Sequence, residues 1–342
     1  LLSETKIANP KTVMVTGAAG FLGSHLCDAL LSRGHRVIAV DNLSQGKREN
    51  LSQAMQNERF SFHVVDITDA AALNAVSEGV DLIAHLAAYK IPRYGNRLKT
   101  VRDNSQGTLN VLEIAARNNA KFLMTSTSDV YGMNPDIPFS ETSNSVIGAS
   151  TVGRWAYAVS KLLDEHLAFG FHEDHGIPVT VLRIFGSYGP RHHLSWWGGP
   201  QSVFIDAILR NEKIPIHGDG LQTRSFTFVS DTVAGIVAAL ENENANNQII
   251  NIGSTHEISI VDLASTIHRL IETPEPLRLE FVPYAQISGR EYQDVRRRVP
   301  DISKAERLLG FKAQVSLADG LRRTIAWQKS VTALPEKIAV GV

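Results

Sequence analysis

The sequence predicts an α/β protein: a doubly wound parallel sheet with helices on both faces, followed by a smaller C-terminal α/β lobe. Three observations carry this. Short β-branched runs alternate with helical stretches through the first half of the chain. One strand runs straight into a glycine-rich turn that opens a helix. The length, 342 residues, exceeds one small core and falls short of three domains. Residues 10–190 are expected to form the sheet domain and 191–330 mainly the second lobe, with some late elements returning to the main sheet.

The elements follow in order. TVMVTG (12–17) reads as a buried strand, and FLGSHLCDALLSRG (21–34) spaces its apolar residues as a helix with a glycine stop. RVIAVD (36–41), FSFHVVD (60–66) and DLIAHLA (81–87) are the next strands. A long helix is expected over 102–118, then strands KFLMTSTS (121–128) and VTVLRIF (179–185). WAYAVSKLLDEHL between them is strongly helical. The alternation loosens after Pro190. IPIHGDG and QIINIG (248–253) still read as strands, and helices are expected at 261–271 and 316–329.

Composition excludes several classes. Hydrophobic residues are 43% and charged residues 20%, the balance of an ordinary globular protein. A formal net charge of −1 offers no global field to recruit nucleic acid or an anionic membrane, so neither is an expected partner. The single cysteine, Cys27, rules out a disulfide within the chain and a cysteine-based zinc site. Twelve histidines include no H-x-x-x-H pair with a carboxylate partner, and no metal is expected. No apolar run reaches the ~18 residues of a membrane span. The opening residues lack the charged-then-apolar order of a secretion signal. A cytoplasmic location is the expectation, and low cysteine use fits it.

TGAAGFLG places Gly17, Gly20 and Gly23 between a strand and a helix. The first glycine permits the tight turn, the second lets a pyrophosphate approach the backbone, and the third lets helix pack on strand. The helix start adds free N–H groups and the positive end of a dipole. The turn is therefore expected to bind the diphosphate of a dinucleotide, against the plainer reading of a structural strand-to-helix turn. Asp41 ends the second strand, where a carboxylate accepts bonds from both ribose hydroxyls and repels a 2′-phosphate. NAD is therefore expected rather than NADP.

Tyr157 and Lys161 stand at i and i+4 on one helix face. A lysine ammonium beside a phenol favours the phenolate, which makes Tyr157 a candidate general base for a sugar-type hydroxyl. MTSTSDVYG sets Thr127, Ser128 and Asp129 at the carboxyl end of a strand, where open α/β sheets bind ligands. Taken singly, each of these patterns has an ordinary structural explanation. Their weight comes from occurring together.

Together these residues resemble the extended short-chain dehydrogenase/reductase family, in its branch of nucleotide-sugar epimerases, dehydratases and decarboxylases. The resemblance spans about 12–327 and rests on TGAAGFLG, VDNLSQGKREN, VVDITD, HLAA, STSDVYG, YAVSK, LRIFGSYGPR, GDGLQTRSFTFVSDTV and RRRVPDISKAERLLGF. It implies an NAD-binding Rossmann domain with a nucleotide-sugar lobe and a homodimer formed through paired helices. Gly17, Gly20, Phe21, Leu22 and Gly23 match the pyrophosphate turn; Asp41, Asn42 and Gly46 match the ribose contacts. Asp66 and Ile67 match the adenine pocket, Leu86, Ala87 and Ala88 the loop under the cofactor, and Asn104 a helix position behind it. Lys90 matches a lysine near the nicotinamide ribose in 4-epimerases. Thr127 matches the residue that joins the Tyr–Lys pair. Arg191, Arg224, Arg298 and Asp301 match positions that hold the nucleotide diphosphate, where a guanidinium fork suits phosphate oxygens.

Within that branch, STSDVYG, RWAYAVSK and YQDVRRRVPDIS look most like UDP-glucuronate decarboxylases. That likeness implies oxidation at sugar C4, loss of the C5 carboxylate as CO₂ from the 4-keto sugar, and re-reduction to a UDP-pentose. The chain departs from the pattern in having Asp129 for Glu, Gly186 for Asn, and HHLSWWGGPQ over 192–201. The alternatives are a UDP-sugar 4-epimerase and then a 4,6-dehydratase. A non-enzymatic alternative is an NAD-binding sensor, which would have no need of Tyr157 or Lys161.

Overall fold

The computed structural model describes residues 9–90, 96–288 and 293–332. The first half supplies β1 (Thr12–Thr16), α1 (Phe21–Ser32), β2 (Arg36–Asp41), β3 (Phe60–Val64) and α2 (Ala70–Asn74). It continues with β4 (Leu82–His85), α3 (Arg97–Asn118), β5 (Lys121–Thr127), α4 (Trp155–His175) and β6 (Val179–Ile184). The second half opens with β7 (Ser187–Tyr188), α5 (Pro200–Leu209), β8 (Ile214–His217), β9 (Thr223–Ser225), β10 (Thr227–Phe228) and α6 (Val229–Glu241). It closes with β11 (Gln248–Ile252), β12 (Glu257–Ser259), α7 (Ile260–Ile271), β13 (Leu279–Val282), α8 (Tyr284–Ser288), β14 (Arg297–Arg298), α9 (Ser303–Leu309) and α10 (Leu317–Thr332).

Seven strands form one parallel sheet in the order β11-β6-β5-β4-β1-β2-β3. The chain builds outward from β1 to β3, then restarts at β4 on the other side of β1. Such a reversal opens a crevice beyond the carboxyl ends of the strands. The site lies there. Strands β1, β2 and β6 are almost wholly buried, which is why they read as continuous apolar runs rather than alternating ones. One hydrophobic cluster fills the face under α1 and α6, and a second fills the face under α3 and α4.

Some boundaries move for local reasons. The long helix expected from 102 starts at Arg97, because the Asn96 side chain accepts from the Lys99 amide and caps it. Strand β3 stops at Val64, since Asp66 turns its carboxylate onto the Thr68 amide and hydroxyl. Strand β4 stops at His85, because the Leu86 and Ala87 amides donate to the Thr16 hydroxyl.

At one edge of the main sheet β11 pairs with β6 along its whole length. Beyond it, β12, β9 and β14 make a small sheet in which Arg298 stands directly beside Arg224. A two-stranded pairing of β8 with β13 flanks it. No helix among the described residues is long and apolar enough to cross a membrane.

Candidate active site

The turn between β1 and α1 has the shape of a phosphate cradle. Gly17 lies at φ +69°, and a Cβ there would meet the Ala87 amide nitrogen at 2.8 Å. At Gly23 a Cβ would sit 2.1 Å from the Gly17 carbonyl oxygen, so only glycine lets α1 close onto β1. Gly20 caps α1 without a side chain and leaves the first-turn N–H groups to a ligand. Asp41 is buried at the end of β2, where its carboxylate accepts from the Ala19 and Leu43 amides at 2.9 and 2.8 Å. Burial raises its pKa, and those amides work against the rise. Gly46 must be small, because a Cβ would meet the Asp41 carboxylate at 2.8 Å. Asn42 donates to Asp66 at 2.8 Å, which ties the ends of β2 and β3 together. Ile67 packs its side chain over Gly107 of α3. These residues fit a dinucleotide laid across the carboxyl ends of β1 to β3, with Asp41 at the ribose.

From this turn a cleft of about 470 Å³ extends over β5 and β6 toward the small sheet. Phe21, Leu22, Leu86, Ala88 and Lys90 line the side nearest the glycine turn. Thr127, Ser128, Asp129 and Tyr157 line the middle. Arg154, Arg224, Arg298 and Asp294 line the far side. Helix α4 places Tyr157 in the wall and Lys161 one turn further on, buried and bonded to Asp164 at 3.0 Å. Asn104 on α3 braces this helix by donating to Ser160 at 2.9 Å, and its carbonyl oxygen accepts from the Tyr89 amide. Thr127 turns its hydroxyl to accept from the Asp129 amide at 3.2 Å, which starts the short 3₁₀ turn Ser128–Tyr131.

Two expectations meet a different arrangement. Lysine was expected to lower the Tyr157 pKa, but the protein without cofactor pushes that phenol up. Burial is the main cause, followed by the negative charges of Asp129 and Asp164. The four residues assigned to the diphosphate also do not converge. Arg224 and Arg298 face the cleft, whereas Arg191 is bonded to Asp28 of α1 at 2.7 Å and lies outside the cleft walls. Asp301 accepts from the Ser303 amide and hydroxyl at the start of α9, also outside those walls.

The far wall is a lattice of charges that sequence reasoning only partly found. Asp129 Oδ1 lies 2.8 Å from Arg298 Nη2 and 3.2 Å from Arg154 Nη2. Asp294 Oδ1 lies 2.9 Å from Arg224 and 3.3 Å from Arg154. The Tyr284 hydroxyl donates to Asp294 Oδ2 at 2.6 Å. Burial alone would raise Asp294, but Arg224, Arg154, the Tyr284 hydroxyl and Arg298 outweigh it and hold its carboxyl down at about 2. Arg154 and Asp294 were not singled out beforehand. Their signals were the arginine three residues ahead of Tyr157, and a carboxylate four residues ahead of Arg298.

The roof comes from the segment after β7. Trp196 stacks on His217 with ring centroids 3.9 Å apart, and its edge meets Phe204 of the core. Trp197 packs edge-on to Tyr89. His192 is buried against Phe21, and burial holds its pKa well below the usual range. Gly186 lies at φ +45°, and a Cβ there would meet the Ser225 carbonyl oxygen at 2.2 Å, so the backbone itself requires glycine here. Lys90 reaches solvent at the cleft mouth yet is hemmed in by protein. That crowding lowers it to about 8 against the pull of Asp129. Among the described residues no cluster of histidine, cysteine and carboxylate could hold a metal.

A phosphate cradle, a ribose carboxylate and a Tyr–Lys helix on one crevice define a Rossmann enzyme that works on a bound dinucleotide. The NAD dependent epimerase/dehydratase family matches residues 13–253, and the chain belongs to that family, with NAD as cofactor. The chain is 36% identical over 323 residues to a UDP-N-acetyl-alpha-D-glucosaminuronate decarboxylase of Bacillus cytotoxicus, covering 94% of this chain and 98% of that one. It is 38% identical over 318 residues to UDP-glucuronic acid decarboxylase 1 of Arabidopsis thaliana, covering 92% and 69%. Among solved structures, a UDP-glucuronic acid 4-epimerase of Bacillus cereus with UDP-glucuronic acid and NAD superposes with a TM-score of 0.82. That protein is 32% identical, with 94% and 99% of the two chains covered.

Proposed function

We propose that the protein is an NAD-dependent decarboxylase of a UDP-linked uronic acid, a UDP-glucuronate decarboxylase of the UDP-xylose synthase type. The observation that carries this is the wall opposite Tyr157, where Arg154, Arg224 and Arg298 gather around Asp129 and Asp294. Such a wall suits a substrate with a diphosphate and a sugar carboxylate. The decarboxylase names of the relatives above support the same choice.

Arg224 and Arg298 hold the diphosphate, since β9 and β14 present them side by side. Tyr157 takes the proton of the C4 hydroxyl, and Thr127 orients that hydroxyl. Bound NAD supplies the hydride acceptor and then the donor. With C4 a ketone, the C5–carboxylate electrons flow into an enolate as CO₂ departs. Tyr157, now protonated, hydrogen-bonds the enolate oxygen while C5 takes a proton from water to give the 4-keto pentose, and Tyr157 gives its proton to O4 only as the hydride returns to C4. Ser128 and Asp129 face the sugar between Tyr157 and the arginines. Asp41, Asn42, Asp66, Ile67, Leu86, Ala87, Ala88 and Asn104 form or brace the cofactor half, and Lys90 guards its mouth. A homodimer is part of the reading, supported by exposed Leu98 on α3 and exposed Val159 and Leu163 on α4. A cytoplasmic location belongs to it as well.

A second reading, a UDP-uronate 4-epimerase, is favoured by the likeness to the B. cereus enzyme. The test is incubation with NAD⁺ and UDP-glucuronate, followed by mass spectrometry and NMR. Loss of one CO₂ is the expected result. An unchanged mass with inverted C4 would give the second reading instead.

A further inference from the structure

Beneath the Tyr–Lys pair lies a buried polar strand that the reaction above does not use. Lys161 and Asp164 are both buried in α4, and their side chains meet at 3.0 Å. The Thr108 hydroxyl of α3 faces the same carboxylate without closing a well-formed hydrogen bond. Asp164 Oδ1 has no hydrogen-bond partner among the described residues. Thr108 in turn contacts His85 Nε2 at 3.2 Å, and His85 Nδ1 contacts the Thr16 hydroxyl at 2.8 Å. Hydrogen-bonded polar groups thus run from Thr108 of α3 to the end of β1, with the Asp164 carboxylate facing their near end.

We propose that Asp164 is a positioning residue that sets when Tyr157 can act as a base, by occupying Lys161 as its ion-pair partner. This rests on Tyr157 being the base. A buried lysine shared with a carboxylate gives the neighbouring phenol less help than a lysine left to it alone. Asp164 also sits close enough to Tyr157 to disfavour the phenolate directly, alongside Asp129 and the effect of burial. The other charged and titratable groups around Asp164 are accounted for. Glu165 on α4 is bonded to Arg183 of β6 and to Ser126 of β5. His85 of β4 is kept neutral by burial, and Lys161 lowers it further. Free enzyme thereby holds Tyr157 protonated, and the base forms only in the loaded cleft.

Two measurements test this. The first is the phenolate absorbance of wild type without NAD, titrated against Tyr157→Phe. No Tyr157 phenolate is expected at neutral pH, and a phenolate appearing there overturns the proposal. The second is the pH profile of kcat for Asp164→Asn, with its phenolate titration. The acid limb should move to lower pH by about one unit, and the phenolate with it. Asp164→Glu should restore the wild-type profile. A limb that stays in place or moves to higher pH overturns the proposal. If the Asn variant does not fold, Asp164→Ser leaves room for water beside the ammonium and carries the same expectation. A fully active Tyr157→Phe enzyme would instead remove the catalytic reading on which the inference stands.

Discussion

Arg154 and Arg298 converge on one oxygen of Asp129, at 3.2 and 2.8 Å. They reach it from different parts of the chain: Arg154 caps α4, just ahead of Tyr157, and Arg298 lies on β14. Asp129 is thereby the joint between the small sheet that carries β14 and the start of α4.

Arg154→Lys should break that joint. Lysine lacks the fork that lets Arg154 serve Asp129 and Asp294 at once, and it loses the stack on Trp155 at 4.6 Å. A fall in kcat/KM of about tenfold or more is expected. NAD affinity should stay near wild type, because the arginine stands on the far wall. Steady-state kinetics and calorimetry separate the two quantities.

Tyr157→Phe removes the phenol and little else. Turnover should fall by a factor on the order of a hundred to ten thousand, the usual worth of a positioned base. Calorimetry should still detect NAD binding. Rates like those of wild type would sink the assignment.

Gly23→Ala should cost both stability and cofactor. The new methyl would collide with backbone at 2.1 Å, and no side-chain rotation relieves that. The expected loss is about 1–3 kcal/mol, with a matching loss of NAD affinity. Gly170→Ala is the contrasting control: it lies inside α4 with nothing within 4 Å of the added carbon. It should stabilise by roughly 0.5–1 kcal/mol. Thermal melts with and without NAD distinguish the pair.

Asp294 makes a pH-dependent contribution whose sign follows from its lowered pKa. A carboxylate held at about 2 in the folded state, against 3.8 as a free group, adds stability above the higher value. That stability drains away as pH falls toward the lower one. Asp294→Asn should cost about 2 kcal/mol at neutral pH and flatten acid unfolding across that window. Denaturant melts at a series of acid pH values read this directly. A slope equal to wild type would contradict it.

The doubly wound sheet was legible because its strands are buried on both faces and its first turn needs glycine. Local periodicity and turn chemistry are short-range signals, and the sequence carries them in full. Tyr157 and Lys161 were legible for the same reason, being one helical turn apart. Arg191 shows where this stops. A guanidinium does not reveal its partner, and a carboxylate on α1 lies near enough to take it. Asp301 is similar, since an aspartate ahead of Ser303 serves equally to accept from that serine's amide and hydroxyl. The charge lattice of Arg154, Asp294 and Arg224 joins segments up to 140 residues apart, which only the tertiary fold can bring together. The state of the Tyr157 phenol was hidden too. It depends on burial and on Asp129 and Asp164, none of which the i, i+4 spacing expresses.

The Glu165 carboxylate pins α4 to the sheet through Arg183 of β6 and Ser126 of β5, all out of water. Ser126 is the residue next to Thr127, and Glu165 lies two turns along the helix from Tyr157. The tyrosine and the threonine therefore belong to a single rigid block. Breathing of the enzyme cannot come from that helix sliding, because the slide would strand a buried ion pair. The opposite bank is built differently: there Trp196 and Trp197 pack on the rings of His217, Phe204 and Tyr89. The protein thus sets a pinned helix, an anvil carrying its tyrosine, against a facing bank of aromatic rings.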